Sequence, residues 1–303
     1  MSRGKVIAAL FLAVAAVFAV ATANDLVRYD DYDYIVKNEA LADGLNGRAV
    51  RFAFCAAGYA SNYHPLTWLS HAADISLAKA LGLDYRLDGK YKPLFCVDEG
   101  AFPHLVHGVN VLLHAVNAVL LFWLIMGMWR RFHRNRPTGD AVVAALLALF
   151  WAVHPLRVEV VAWASERKEL LSCFFMLLTL IFHVRPIRLP RESNWNLLVE
   201  NLPAICFVLA LLSKPVAVSL PAVLMAYEWI VAKRGFRESF MRILPYAGLS
   251  LVVCYLTFVS QTVAIEVGKG CGRLTRLLCV VEAPIIYLGQ TLWPSGLCLD
   301  YAI

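Results

Sequence analysis

The chain has 303 residues, of which 60% are apolar and only 17% charged, with a formal net charge of +6. So low a charged fraction excludes an ordinary soluble domain, which carries about a quarter. The basic excess sits in short clusters flanking apolar runs, which excludes nucleic acid as the partner.

The first apolar run covers residues 6–23 and is preceded by Arg3 and Lys5. Its end, Ala21-Thr22-Ala23, resembles a signal-peptide cleavage site, but 18 apolar residues are long for a signal core. A retained helix is expected. Further runs follow at 105–129, 141–153, 170–184, 197–212, 216–232, 243–263 and 277–292. Segments near 20 residues are what a hydrocarbon layer about 30 Å thick requires of a helix. The shorter runs need tilting or local thinning, and the last, with Glu282 and Pro284, can instead lie at the interface. The expected fold class is all-α: a polytopic membrane protein of seven or eight transmembrane helices.

Basic residues set the expected orientation. With the N-terminus inside, the inner segments carry thirteen Lys and Arg, including Arg130, Arg131, Arg134 and Arg136, against seven on the short outer segments. The segment 24–103 is then an outer loop with interfacial helices, and it holds 11 of the 22 acidic residues. Cys55 and Cys96 both fall in it and can pair in an oxidising compartment. Residues 104–303 carry the remaining membrane helices.

The features suited to chemistry fall on that same outer side. Asp30 and Asp31, within Tyr29-Asp30-Asp31-Tyr32-Asp33-Tyr34, directly follow the first helix. Adjacent carboxylates repel, which favours a proton acceptor or metal ligand; a solvated acidic turn is the plain alternative. Asn62-Tyr63-His64-Pro65-Leu66-Thr67-Trp68 reads as the start of an interfacial helix. His154-Pro155 and Glu166-Arg167-Lys168-Glu169 interrupt an otherwise apolar stretch, and Ser213-Lys214-Pro215 sits between two more runs. Arg167 and Lys168 suit a phosphate, one as a fork of donors and one as a point charge. Ionisable groups at the depth of Lys214 mark function by default, unless the side chain merely snorkels to the interface. His107, Asn110, His114 and Asn117 recur along one helix face and are expected to join helices rather than bind metal.

The order of these motifs resembles the membrane part of the bacterial and animal transmembrane-and-tetratricopeptide-repeat proteins. These are similar to protein O-mannosyltransferases of the C-type glycosyltransferase fold. The resemblance rests on Tyr29-Asp30-Asp31 with Ile35 and Asn38, and on Asn62 to Ser70. It continues through His104-Leu105-Val106, Asn110, His114, Phe150, His154-Pro155, Glu159 and Val161-Ala162-Trp163. Glu166-Arg167-Lys168, Ser213-Lys214-Pro215 and Trp293-Pro294 complete it.

The resemblance implies an inverting transferase that takes a sugar from a polyprenyl-phosphate donor to a hydroxyl of a protein or glycan. Its site would lie on the outer face of a bacterial inner membrane or of the endoplasmic reticulum membrane. Asp30, with Asp31 beside it, occupies the position of the family's catalytic Asp. Arg167, Lys168, Lys214 and His154 are the expected contacts for the donor phosphate. No cofactor or divalent metal is required by this scheme. Animal members carry Arg where this chain has His64, so phosphate contact is not expected there. The family continues beyond Trp293-Pro294 into further spans and helical repeats, so this sequence is expected to be a fragment or short member with no tetratricopeptide repeat. The rival expectation is a non-catalytic membrane anchor or assembly factor.

Overall fold

The computed structural model describes residues 2–27, 29–56, 58–83, 95–96, 101–132, 140–184, 196–261 and 272–297. The chain opens with α1, Arg3–Phe18, prolonged by a 3-10 turn to Ala23. A two-residue strand β1, Leu26–Val27, then pairs antiparallel with β2, Phe95–Cys96. Between the strands lie a π-turn at Tyr32–Val36, α2 at Gly47–Cys55 and α3 at Pro65–Ala80. Asn46 caps α2 by accepting from Ala49 N at 2.9 Å, and Pro65 starts α3 at a position that needs no N–H partner.

The long helix α4, Phe102–Phe132, is followed by α5, Asp140–Ala152, and by the short α6, Arg157–Ala162. α7 spans Arg167–Val184 and α8 Asn196–Ser213. α9, Leu220–Ala226, is flanked by a 3-10 turn and a π-turn, and α10, Phe236–Ser260, and α11, Arg273–Leu292, complete the described elements. Within the described residues, each expected apolar run therefore falls mainly on helix. Among the described residues, three segments are long and apolar enough to cross a membrane: Arg3–Ala23, Phe102–Trp129 and Phe236–Ser260. Asp140–Ala152, Leu197–Ser213, Pro215–Val231 and Leu277–Leu292 are shorter apolar helices.

Three apolar clusters organise the described residues. In the first, Val6, Leu10, Val14 and Phe18 repeat every four residues on α1 and face Val111, Ala115 and Phe122 of α4. Ala141, Ala144, Ala148 and Ala152 of α5 join them, all buried, while Val142, Leu146 and Phe150 on its other side are exposed. The second cluster, around Trp68, Tyr34, Leu26, Leu41, Ile75, Phe102 and Val106, makes a folded unit of the acidic loop. The third joins Phe207 and Leu211 of α8 to Leu220, Leu224 and Ile243. By contrast α10 keeps only 17% of its apolar window buried, and Leu251, Tyr255 and Phe258 are exposed. Such a surface belongs against lipid rather than water.

The polar face of α4 joins helices, as its spacing suggests. Asn110 Nδ2 donates to the Trp163 carbonyl at 3.1 Å and Asn117 Nδ2 to the Leu170 carbonyl at 2.9 Å. His114 Nε2 lies 2.9 Å from the Ala152 carbonyl, to which it donates. Cys55 is a free, exposed thiol, and the side chain of Cys96 lies outside the described residues.

Candidate functional site

The first turn of α7 presents its charges in two directions. Arg167 points between α3 and α4 and is fully buried. Its Nε donates to Asn110 Oδ1, Nη1 to Ser70 Oγ at 2.9 Å, and Nη2 to the Val106 carbonyl at 2.8 Å. Asp74 Oδ2 lies 3.0 Å from Nη2 and neutralises the charge. As the structure stands, this guanidinium is spent on joining three helices and offers no face to a ligand.

Lys168 points instead toward a cavity of about 350 Å³. From the loop unit, Asp30, Asn62, Tyr63 and His64 line it; from α7 and the turn before it, Lys168 and Glu166. Lys214, Pro215 and Val216 contribute from the link between α8 and α9, and Thr257, Ser260 and Gln261 from the end of α10. Lys168 Nζ is 3.0 Å from Asp30 Oδ2 and 2.9 Å from Glu166 Oε1. Lys214 Nζ is 2.6 Å from Glu169 Oε1 and 3.6 Å from Glu166 Oε2. A row of alternating sign, Asp30, Lys168, Glu166, Lys214, thus runs along one wall, and Glu169 extends it behind Lys214.

Local structure places each member. Thr67 Oγ1 donates to the Ser213 carbonyl at 3.0 Å, fixing the residue before Lys214 against α3. Gly58, Ala60 and Ser61 all have positive φ, at 95°, 50° and 56°. Two non-glycine residues in the left-handed region store strain of the kind that gathers at functional sites, and they turn Asn62 to His64 into the cavity. Tyr34 packs tilted against Trp68 at 4.3 Å between ring centroids, and Lys168 Nζ lies 4.9 Å from the centre of the Tyr34 ring. The Tyr34 hydroxyl is 3.2 Å from His64 Nδ1. Burial pushes the Tyr34 hydroxyl's pKa above its ordinary value, so it stays a phenol. Burial first, with Lys168 and Lys214 adding to it, depresses His64 to about 3, so its ring is neutral. With Nδ1 facing Tyr34, Nε2 is the nitrogen left for an occupant of the cavity.

Of the residues expected at the site, Asp30, Lys168 and Lys214 come together; Asp31, Arg167 and His154 stand apart from the cavity lining. Asp31 is fully buried. It accepts from Val27 N at 2.9 Å and Ser165 N at 2.7 Å, stitching the segment after α1 to the turn before α7. Burial raises its carboxyl from 3.8 to about 6, although the two amides pull the other way. His154 Nε2 meets the Thr291 carbonyl at 3.1 Å, joining the α5 end to α11. Glu166, Glu169, His64 and the end of α10 were not among the expected site residues. Glu166 is visible in the Glu-Arg-Lys triplet, but nothing in the α10 sequence announces a cavity.

Comparison with known proteins finds Protein O-mannosyl-transferase TMTC4 of Homo sapiens, 31% identical over 187 residues, or 58% of this chain and 22% of that protein. Protein O-mannosyl-transferase TMTC1 of Mus musculus is 32% identical over 130 residues, 41% of this chain and 13% of that protein. TMTC4 of Mus musculus is 30% identical over 174 residues, 54% and 21% respectively. The chain resembles these protein O-mannosyl-transferases over about half its own length, and the match spans less than a quarter of theirs. No family model and no solved structure matches the chain.

Proposed function

We propose that this chain forms the sugar-transfer part of a membrane glycosyltransferase that takes mannose or a related sugar from a polyprenyl-phosphate donor to a hydroxyl acceptor. In this reading the shorter apolar helices complete a seven- or eight-span, C-type glycosyltransferase-like bundle, and the cavity opens on the outer face. The observation that carries it is the meeting of Asp30, Lys168 and Lys214, drawn from three distant parts of the sequence, around one cavity beside the exposed apolar flank of α10.

Each residue then has a task. Lys168 and Lys214 hold the donor phosphate through charge-assisted hydrogen bonds, and the isoprenoid chain lies along α10. Asp30 accepts the proton of the acceptor hydroxyl as its oxygen attacks the anomeric carbon. The bond from that carbon to the phosphate oxygen breaks in the same displacement, inverting the configuration. The phosphate leaves with an added negative charge, which the lysines stabilise. The Arg167 lock keeps α7 in register, so that Lys168 faces the cavity, and Asp31 holds Asp30 beside it.

The test is mass spectrometry of lipids extracted from the purified protein. Polyprenyl phosphate should accompany the wild type and be lost from the Lys168→Ala, Lys214→Ala double variant. Equal recovery from both would place the donor elsewhere. Orientation is checked by impermeant maleimide labelling of single cysteines in a cysteine-free background. Leu45→Cys should react from outside and Arg134→Cys only after lysis.

A further inference from the structure

Glu166 has no task in that scheme, yet it stands where the scheme needs an anion. Its two carboxylate oxygens divide between the two lysines, 2.9 Å from Lys168 Nζ and 3.6 Å from Lys214 Nζ. Asp30 and Glu169 flank the pair, and among the described residues each is paired with one lysine. Glu166 is also the most enclosed of the three, its side chain 13% exposed against 37% for Asp30 and 33% for Glu169. Three carboxylates therefore share two ammonium groups, and neutral His64 adds no positive charge. A phosphate offers paired oxygens much as a carboxylate does, so it fits the same two donors. It cannot simply be added, because a fourth negative group would crowd like charges within contact distance.

We infer that Glu166 is an internal competitor whose carboxylate fills the anion seat between Lys168 and Lys214 until a phosphate head displaces it. This rests on the reading of those two lysines as the phosphate site. The arrangement keeps the lysines spaced for two oxygens in the empty protein, and it sets a threshold that weakly held anions do not pass. It also bears on release. A sugar-bearing lipid phosphate is a diester with one charge, whereas the lipid phosphate left after transfer is a monoester that carries up to two. Two unopposed lysines would trap that product, and the returning Glu166 carboxylate helps expel it.

Glu166→Gln keeps the shape and removes the charge. Binding of polyprenyl phosphate and of inorganic phosphate to the full chain in lipid nanodiscs is measured for wild type and variant. Both ligands should bind the variant about tenfold more tightly, the effect of removing one like-charge contact. Glu169→Gln, which frees one lysine only, should tighten binding less. A gain for inorganic phosphate alone still supports the displaced carboxylate and identifies the occupant as a free phosphate. If wild type binds and Glu166→Gln binds equally or more weakly, Glu166 merely props the lysines and the inference fails while the site stands. If neither protein binds either ligand, the phosphate site itself is wrong and the inference falls with it. Should Glu166→Gln not fold, Glu166→Asp, whose carboxylate is drawn back by one methylene, should show the same tightening in smaller measure; unchanged or weaker binding there also overturns the proposal.

Discussion

Arg167 and Lys168 are neighbours with the same charge, yet one is enclosed by protein and the other faces a cavity. Consecutive helical residues point about 100° apart, and at the first turn of α7 that angle separates the seam between α3 and α4 from the cavity wall. The Arg fork meets Asn110, Ser70, Asp74 and the Val106 carbonyl, a set that a point charge cannot satisfy. Lys168 meets two carboxylates that other cations or ligands can take over. Asp31 and Asp30 divide the same way, the first fixed by backbone amides and the second beside the cavity. Adjacent like residues here take opposite positions, one enclosed by the fold and the other facing the cavity.

Arg167→Ala is the hardest test of that division. It leaves Asp74 buried without its partner and should cost about 3–5 kcal/mol in unfolding experiments. Arg167→Lys should recover only part. A folded, fully stable Arg167→Ala protein with selectively lost phosphate binding would reverse the assignment.

The two aspartates should separate next. Asp30→Asn should lower sugar transfer about a hundredfold or more at unchanged stability. Asp31→Asn should instead cost about 1–3 kcal/mol of stability, because its amide NH2 would face one of two backbone donors. Equal effects on activity and stability in both variants would erase the distinction. Lys214→Ala comes third: about tenfold weaker binding of polyprenyl phosphate, from the loss of a charge-assisted bond. Its stability should change by less than about 1 kcal/mol, since this pair is partly exposed.

The smallest effect over a single pH unit is a stability slope. His64 falls from 6.5 to about 3 in the folded protein, so the unfolded chain takes its proton first. Stability from this residue is present above pH 6.5 and drains away as pH falls toward 3. The first pH unit of acidification should remove about 1 kcal/mol. Asp31 runs oppositely: its carboxyl is raised from 3.8 to about 6, so acid favours the fold across that window. His64→Asn should flatten only the His64 part of a stability–pH curve; an unchanged curve would mean that the ring is not held neutral.

Much of this was legible in the residues. The apolar runs mark the helices because lipid-facing and lipid-spanning segments need apolar side chains on nearly every side. The Asn and His spacing on α4 marks a glued face, for it places four polar groups on one stripe. The separation of Asp30 from Asp31, and of Arg167 from Lys168, was not legible. It depends on which helices stand opposite, and neither α3 nor α4 is near α7 in sequence. The share of the cavity supplied by Thr257, Ser260 and Gln261 was equally hidden, since small polar residues at a helix end look alike whether they meet water or a ligand. Helix boundaries moved modestly: α7 begins at Arg167 rather than at residue 170, because its charged first turn is helical too.

The alanine side of α5 has a consequence for how this sequence can vary. Ala141, Ala144, Ala148 and Ala152 let its backbone approach the first cluster closely, and in hydrocarbon that closeness, rather than any expulsion of water, is what binds one helix to another. The opposite side, Val142, Leu146 and Phe150, needs only to be oily. In the bundle proposed above the two sides therefore obey different rules of substitution: size is constrained where α5 meets protein and polarity where it would meet lipid. Ala148→Leu, chemically conservative, should wedge α5 outward and loosen the whole first cluster, whereas Phe150→Leu should pass unnoticed.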